Sequence, residues 1–248
     1  MRAGVFDSGI GGLTVVKSLL EHNVFDEIIY YGDTARVPYG VKDKNTITRY
    51  SLEALEFFEN FNIDILIIAC NSVSAYSIKE LKASSKVPVI GVIESGVLAI
   101  ENSVLDRDSN ILIIGTKATI DSNRYETLLR EKNFNNLKSI ATGLFVPIVE
   151  EEIFEGAILD EAIDYYFKET QKPDIIILGC THFPLISEPI KKYWKNNIEL
   201  IHSGEAIVEF ILKHKAYKKS SSKRTKLEFF SSENPKNLRK IAKNWLSL

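Results

Sequence analysis

Two apolar runs lying far apart in the chain constrain its fold more than any other feature. The first reads Asp64-Ile65-Leu66-Ile67-Ile68-Ala69-Cys70-Asn71-Ser72 and the second Asp174-Ile175-Ile176-Ile177-Leu178-Gly179-Cys180-Thr181-His182, so each carries a cysteine six residues after an aspartate. Short continuous runs rich in β-branched residues and ending at a polar turn suit strands buried on both faces of a parallel sheet. The carboxyl ends of such strands are where open α/β sheets bind ligands. Cys70 and Cys180 are the only cysteines, and both are expected at a strand tip. A free cysteine is often just a small buried hydrophobe; the matched placement of this pair argues that both thiols serve one cleft.

The rest of the chain reads as two rounds of one α/β unit. A strand over 3–6 leads into Asp7-Ser8-Gly9-Ile10-Gly11-Gly12 and a helix over 13–20. A second strand over 27–31 runs into Gly32-Asp33-Thr34-Ala35-Arg36-Val37-Pro38-Tyr39-Gly40, a polar loop of the kind that lines a site. Ile47, Leu52, Leu55 and Phe58 fall at helical spacing and predict a long amphipathic helix over 45–61, just before the first cysteine strand. A helix over 74–81 and a strand over 87–93, ending at Glu94-Ser95-Gly96, complete the first round. The second opens with a strand over 110–114, then Gly115-Thr116-Lys117-Ala118-Thr119 and a helix over 122–131. Asp7 precedes Cys70 by 63 residues and Thr116 precedes Cys180 by 64, which supports a duplication.

Residues 144–148 read as strand-like, followed by Glu150-Glu151-Glu152 ahead of a helix over 159–167, where carboxylates commonly complement the helix dipole. Beyond Cys180 come a helix over 188–194, a strand over 199–201, a helix to 212, a strand over 227–231 and a last helix over 235–246. The expected fold class is α/β, with two pseudo-symmetric doubly wound domains, mainly parallel sheets and the active site in the cleft between them. The expected division is 1–94 plus 205–248 for one domain and 95–204 for the other.

Composition narrows the function classes. With 248 residues, 45% hydrophobic, and a formal net charge of −2, the chain has no global pull toward nucleic acid or an anionic membrane. No stretch approaches the roughly 18 apolar residues that span a bilayer, and the first residues meet a charge too early for a secretory signal. A cytoplasmic protein with reduced thiols and a small-molecule substrate is expected. Residues 213–226 hold seven Lys or Arg and no acid, a solvated surface loop or a site for an anionic partner. The glycine-rich turn after residue 6 suits a bound anion or a tight connection. It is not a dinucleotide fingerprint, because Thr14 stands where the third glycine belongs.

Two thiols in one cleft limit the chemistry. Four histidines scattered at 22, 182, 202 and 214 do not complete a metal site, C-x-x-C is absent, and a single nucleophile leaves one cysteine unused. A pair can instead remove a proton from one face of a carbon and deliver one to the other, which inverts the centre. Because a free thiol of pKa about 8.5 is only a few per cent thiolate near neutrality, each needs an assistant. Asp7 is placed to serve Cys70, and His182 with an acid such as Glu150 to serve Cys180. Backbone N–H groups at Ser8, Asn71-Ser72 and Thr181 are candidate donors to a carbanion next to a carboxylate.

The segments Phe6-Asp7-Ser8-Gly9-Ile10-Gly11-Gly12, Tyr31 through Gly40, Ala69-Cys70-Asn71-Ser72 and Gly179-Cys180-Thr181-His182-Phe183-Pro184-Leu185 resemble those of the bacterial glutamate racemases, in the aspartate/glutamate racemase superfamily. The resemblance implies a cofactor-independent isomerase that uses no metal. It would interconvert L- and D-glutamate for peptidoglycan synthesis, and so for cell-wall biogenesis and cell shape, as a homodimer or in a monomer–dimer equilibrium. It implies Cys70 and Cys180 as the catalytic pair, with Asp7, Glu150 and His182 assisting. Asp7, Ser8, Tyr39, Gly40, Asn71, Ser72, Thr116, Thr119, Thr181 and His182 would bind substrate. Departures from the family pattern are Ser72 for a common Thr, Thr142-Gly143 for Cys-Pro and His202 for an Asp. Alternatives are an aspartate or hydantoin racemase, a related decarboxylase, or a non-catalytic binder of small acids whose thiols sense redox state.

Overall fold

The computed structural model describes residues 1–214 and 224–246. Its frame is set by four buried strands: β1 (Arg2–Asp7), β3 (Ile65–Ile68), β5 (Ile111–Gly115) and β7 (Ile175–Gly179). Apart from Arg2, every residue in them is shielded from solvent. Burial of each Ile, Leu or Val side chain contributes about 1.5–3 kcal/mol, and only a sheet covered on both faces allows that along a whole strand.

With β2 (Glu27–Gly32), β4 (Val89–Gly91), β6 (Leu137–Ala141), β8 (Glu199–Ile201) and β9 (Lys226–Ser231), the strands form two sheets, ordered β4-β3-β1-β2-β9 and β6-β5-β7-β8. Read in the same sense, β4-β3-β1-β2 and β8-β7-β5-β6 are one arrangement repeated, and all the pairings are parallel. Ala3 aligns with Ile65 and Ile111 with Ile175. The duplication expected from spacing is therefore present in the topology, and Cys70 and Cys180 stand just past equivalent strand ends. Strand β9 is an addition at the β2 edge.

The helices are α1 (Leu13–Glu21), α2 (Lys44–Phe58), α3 (Asn71–Tyr76), α4 (Ile78–Ser84), α5 (Val92–Ser103), α6 (Lys117–Asp121), α7 (Arg124–Glu131), α8 (Phe145–Glu150), α9 (Ala157–Phe167), α10 (Ser187–Tyr193), α11 (Ser203–Lys213) and α12 (Pro235–Leu246). Helix α11 packs on both α5 and α1, and α12 packs on α1 and β9. A single apolar cluster runs from Val5 and Leu19 in the first half through Leu112, Ile176 and Phe183 in the second to Trp245.

Four local expectations are corrected. Residues 144–148 are not a strand: Phe145 and Val149, one helical turn apart, are the buried residues of α8, whose Pro147 lies in the first turn, where its missing N–H costs little. The strand of that region is β6, whose half-exposed sequence lacks a clear apolar signal. The strand over 87–93 is cut to Val89–Gly91, and Glu94-Ser95-Gly96 belong to α5. The helix expected over 74–81 is broken at Ser77 into parts of α3 and α4, and the one expected over 122–131 is α7, preceded by the short α6 and separated from it at Asn123, which takes the left-handed conformation (φ 52°). The basic loop expected over 213–226 lies largely outside the described residues.

Candidate active site

The carboxyl ends of both sheets open onto one cavity of about 430 Å³. Cys70 and Cys180 both line it, as do Ser8, Tyr39, Gly40, Asn71, Ser72, Thr116, Glu150, Thr181 and His182. Asp7 and Thr119 sit in the layer behind, 1% and 2% exposed. Every site residue anticipated from the sequence is thus brought to one place. Gly9, Val37, Pro38 and Gly179, from the motifs themselves, also line the cavity, as do Val41, Lys117, Ala141, Gly143, Val146 and Pro147, which were not anticipated as site residues. Most are apolar neighbours of the motifs and carry no chemical signature of their own.

The two thiols differ in their surroundings. Cys70 donates to Ser8 Oγ at 3.5 Å, and burial, together with the nearby Asp7 charge, pushes its pKa up to about 12. This thiol is neutral at rest. Cys180 Sγ lies 3.6 Å from His182 Nδ1, and Nε2 of the same ring lies 3.1 Å from Glu150 Oε1. Burial alone would strip the proton from His182, but the hydrogen bonds to Cys180 and Glu150 and the charges of Cys180 and Asp7 outweigh it and raise the imidazole pKa to about 10. An imidazolium therefore stands beside the second sulfur. Glu150 ends α8 and reaches the site, so the dipole-complementing role considered for the Glu150–152 cluster does not describe it.

Asp7 accepts from the Gly9 N–H at 2.9 Å and from the Thr181 hydroxyl at 3.4 Å. Its pKa is raised, because burial prevails over the His182 charge and these hydrogen bonds. Asp7 lies close enough to Cys70 and His182 to be felt electrostatically by both. The glycine-rich turn holds this junction together more than it seats an anion. A Cβ at Gly11 would fall 2.3 Å from Thr181 Oγ1 and 2.6 Å from His182 Nδ1, so glycine lets the two halves close on each other. The N–H groups of Leu13, Thr14 and Val15 are already bonded within the turn.

On another wall, Ser72 Oγ lies 2.9 Å from Thr116 Oγ1 and 3.5 Å from Thr119 Oγ1, and the two threonines are 3.1 Å apart. Three hydroxyls clustered in this way, with Thr116 Oγ1 also accepting from the Thr119 N–H at 3.4 Å, can turn toward a carboxylate. Gly40 lies against them, its Cβ position 2.5 Å from Thr116 Cβ. The Tyr39 hydroxyl is held by the buried Asp33 carboxylate, which also accepts from Arg36 Nε at 2.6 Å; what Tyr39 offers the cavity is its ring and backbone. Of the three expected departures from the family pattern, Ser72 supplies a hydroxyl to the cavity as a threonine would, Gly143 lines the cavity, and His202 precedes α11 outside it. Among the described residues, no cluster of three or more His, Cys, Asp or Glu could hold a metal ion, and no helix is long and apolar enough to cross a membrane.

Comparison with known proteins places this geometry. The sequence profile of the Asp/Glu/Hydantoin racemase family matches residues 15–211. The glutamate racemase of a Nitratiruptor species is 64% identical over 99% of this chain and 96% of its own length. The crystal structure of glutamate racemase from Campylobacter jejuni subsp. jejuni superposes with a TM-score of 0.97 at 53% identity, covering 100% of this chain and 99% of that one. That of Francisella tularensis subsp. tularensis, solved in complex with D-glutamate, gives 0.85 at 33% identity over 100% and 94%.

Proposed function

The chain belongs to the Asp/Glu/hydantoin racemase family, and we propose that it racemises glutamate, with Cys70 and Cys180 as the two proton-transfer groups. One observation carries the mechanism: the thiols stand at equivalent strand ends on the wall of a single cavity. Glutamate as the substrate is supported by the relatives, which are glutamate racemases, one of them solved with D-glutamate.

For one enantiomer, Cys180 takes the Cα proton with the His182 imidazolium stabilising charge on its sulfur, and Cys70, neutral at rest, delivers its proton to the opposite face. Groups positioned in this way contribute roughly 10² to 10⁴-fold each. The hydroxyls of Ser72, Thr116 and Thr119 and the amide of Asn71 hold carboxylate oxygens and so oppose the build-up of negative charge at Cα. After each turnover, Cys180 carries a proton and Cys70 lacks one. The other enantiomer reacts from that form, or the protons return through Ser8, Asp7 and His182.

The proposal includes the wider setting expected from the resemblance: D-glutamate supplied for peptidoglycan in the cytoplasm, by a homodimer or a monomer–dimer equilibrium, and a division into residues 1–94 plus 205–248 and 95–204. Polarimetry tests the activity directly. Purified protein without added cofactor is expected to bring the rotation of L-glutamate to zero and to leave L-aspartate unchanged. The reverse pattern would assign a different racemase activity.

A further inference from the structure

Behind the cavity, three buried side chains join the ends of the two cysteine-bearing strands. Tyr125, on α7, donates to Asn71 Oδ1 at 2.8 Å; the Asn71 amide donates to Ser203 Oγ at 3.4 Å; and Ser203 donates to the carbonyl of Leu178 at 3.4 Å. Tyr125, Asn71 and Ser203 are 3%, 3% and 4% exposed. Asn71 directly follows Cys70, and Leu178 stands two residues before Cys180.

The direction of each bond follows from the far end. A backbone carbonyl can only accept, so the Ser203 hydrogen points at Leu178 and its oxygen must accept from Asn71. That turns Nδ2 of Asn71 toward Ser203 and Oδ1 toward Tyr125, whose hydroxyl must donate. With one amide hydrogen on Ser203, the second is left for the cavity that Asn71 lines. Burial and the charges of Glu94 and Cys180 prevail over a hydrogen bond with Ser203 and raise the Tyr125 pKa, so its hydroxyl stays protonated and can donate. The ring itself lies behind the second thiol: a Cβ at Gly179 would be 3.4 Å from its Cε2.

We infer that Tyr125 is a positioning residue for the racemisation proposed above, which this inference presupposes. It orients the Asn71 amide as a donor to the substrate carboxylate and fixes the spacing of the strand ends that carry Cys70 and Cys180. Removing the hydroxyl frees the amide to turn its carbonyl toward the carboxylate and leaves a buried acceptor without a partner.

The test is a double-mutant cycle in the full-length protein with Tyr125→Phe, Asn71→Ala and both together, read as kcat and KM for each enantiomer. Tyr125→Phe keeps the ring and is expected to raise KM, lower kcat and reduce kcat/KM about 10- to 100-fold. In the Asn71→Ala background, the same change is expected to matter less than about twofold, because contacting residues are not additive. D-glutamate affinity measured by calorimetry across the same four proteins gives a second readout where turnover is too slow. Ser203→Ala opens the chain from its other end and covers a Tyr125→Phe protein that does not fold; its loss is expected to be in the same direction and likewise absent without Asn71. Wild-type kcat/KM in Tyr125→Phe, or an equal loss with and without Asn71, would overturn the inference. An active wild type with an indifferent Tyr125→Phe defeats this inference alone, whereas a wild type that leaves glutamate unchanged defeats it together with the racemase reading.

Discussion

The Cys180 sulfur lies 3.6 Å from Nδ1 of His182, and Cys70, at the equivalent strand end, has the Ser8 hydroxyl at 3.5 Å instead of an imidazole. Two positions related by a duplicated topology are thus chemically unequal at rest. Thermodynamics still constrains the sum. Enantiomers are equal in free energy, so kcat/KM must be the same in both directions, and the inequality can appear only in kcat and KM separately.

The pH dependence of turnover should follow His182. Its pKa near 10 predicts that activity falls as pH rises through that value and the imidazolium is lost. Glu150→Gln removes one of the interactions that hold the proton and is expected to move the alkaline limb down by about one unit. His182→Asn is expected to lower kcat by about 10² to 10⁴-fold. Initial rates between pH 7 and 10.5 for the three proteins would check this; an unmoved limb in Glu150→Gln would count against the pairing.

Stability should fall on the alkaline side for the same reason. His182 is raised in the folded protein above its ordinary 6.5, so its contribution is complete below that value and is lost as pH climbs toward about 10. Cys70, raised from 9.0 to about 12, adds a second loss above pH 9, where the unfolded thiol ionises and the folded one does not. Each group contributes up to about 1.4 kcal/mol per pH unit within its window. Urea unfolding of wild type and Cys70→Ser at pH 7, 9 and 10 is expected to show a steeper decline for wild type only above pH 9.

Gly40→Ala should damage the carboxylate wall. The added carbon falls 2.5 Å from Thr116 Cβ, and the loop or the threonine must move. Overpacking of this kind costs about 1–3 kcal/mol, and a displacement near 1 Å can reduce kcat/KM by about 10²-fold. Thermal melting together with steady-state kinetics would separate the two effects.

Much of this site was legible in the sequence, and the reason is local. The strands before Cys70 and Cys180, the turns around Asp7 and Thr116, and the His182 beside its cysteine are each defined by a few consecutive residues, and the nearly equal spacing of strand and turn in the two halves exposed the duplication. What escaped depends on contacts between distant segments. Strand β6 is an edge strand with a half-exposed sequence, and α8 is an apolar run whose period shows only in which residues are buried. Tyr125 reads as an ordinary helical aromatic until its hydroxyl is seen to reach Asn71, 54 residues away.

The claim that two thiols act on opposite faces is tested most directly by starting from L-glutamate in heavy water and stopping at low conversion. If Cys70 and Cys180 each handle one face, the D-glutamate formed carries deuterium at Cα and the remaining L-glutamate keeps its proton. Neither Cys70→Ser nor Cys180→Ser should produce D-glutamate at an appreciable rate, although one of them should still exchange the α-proton of a single enantiomer. D-glutamate that retains the original proton, or a single-cysteine variant that racemises at the wild-type rate, would contradict the account.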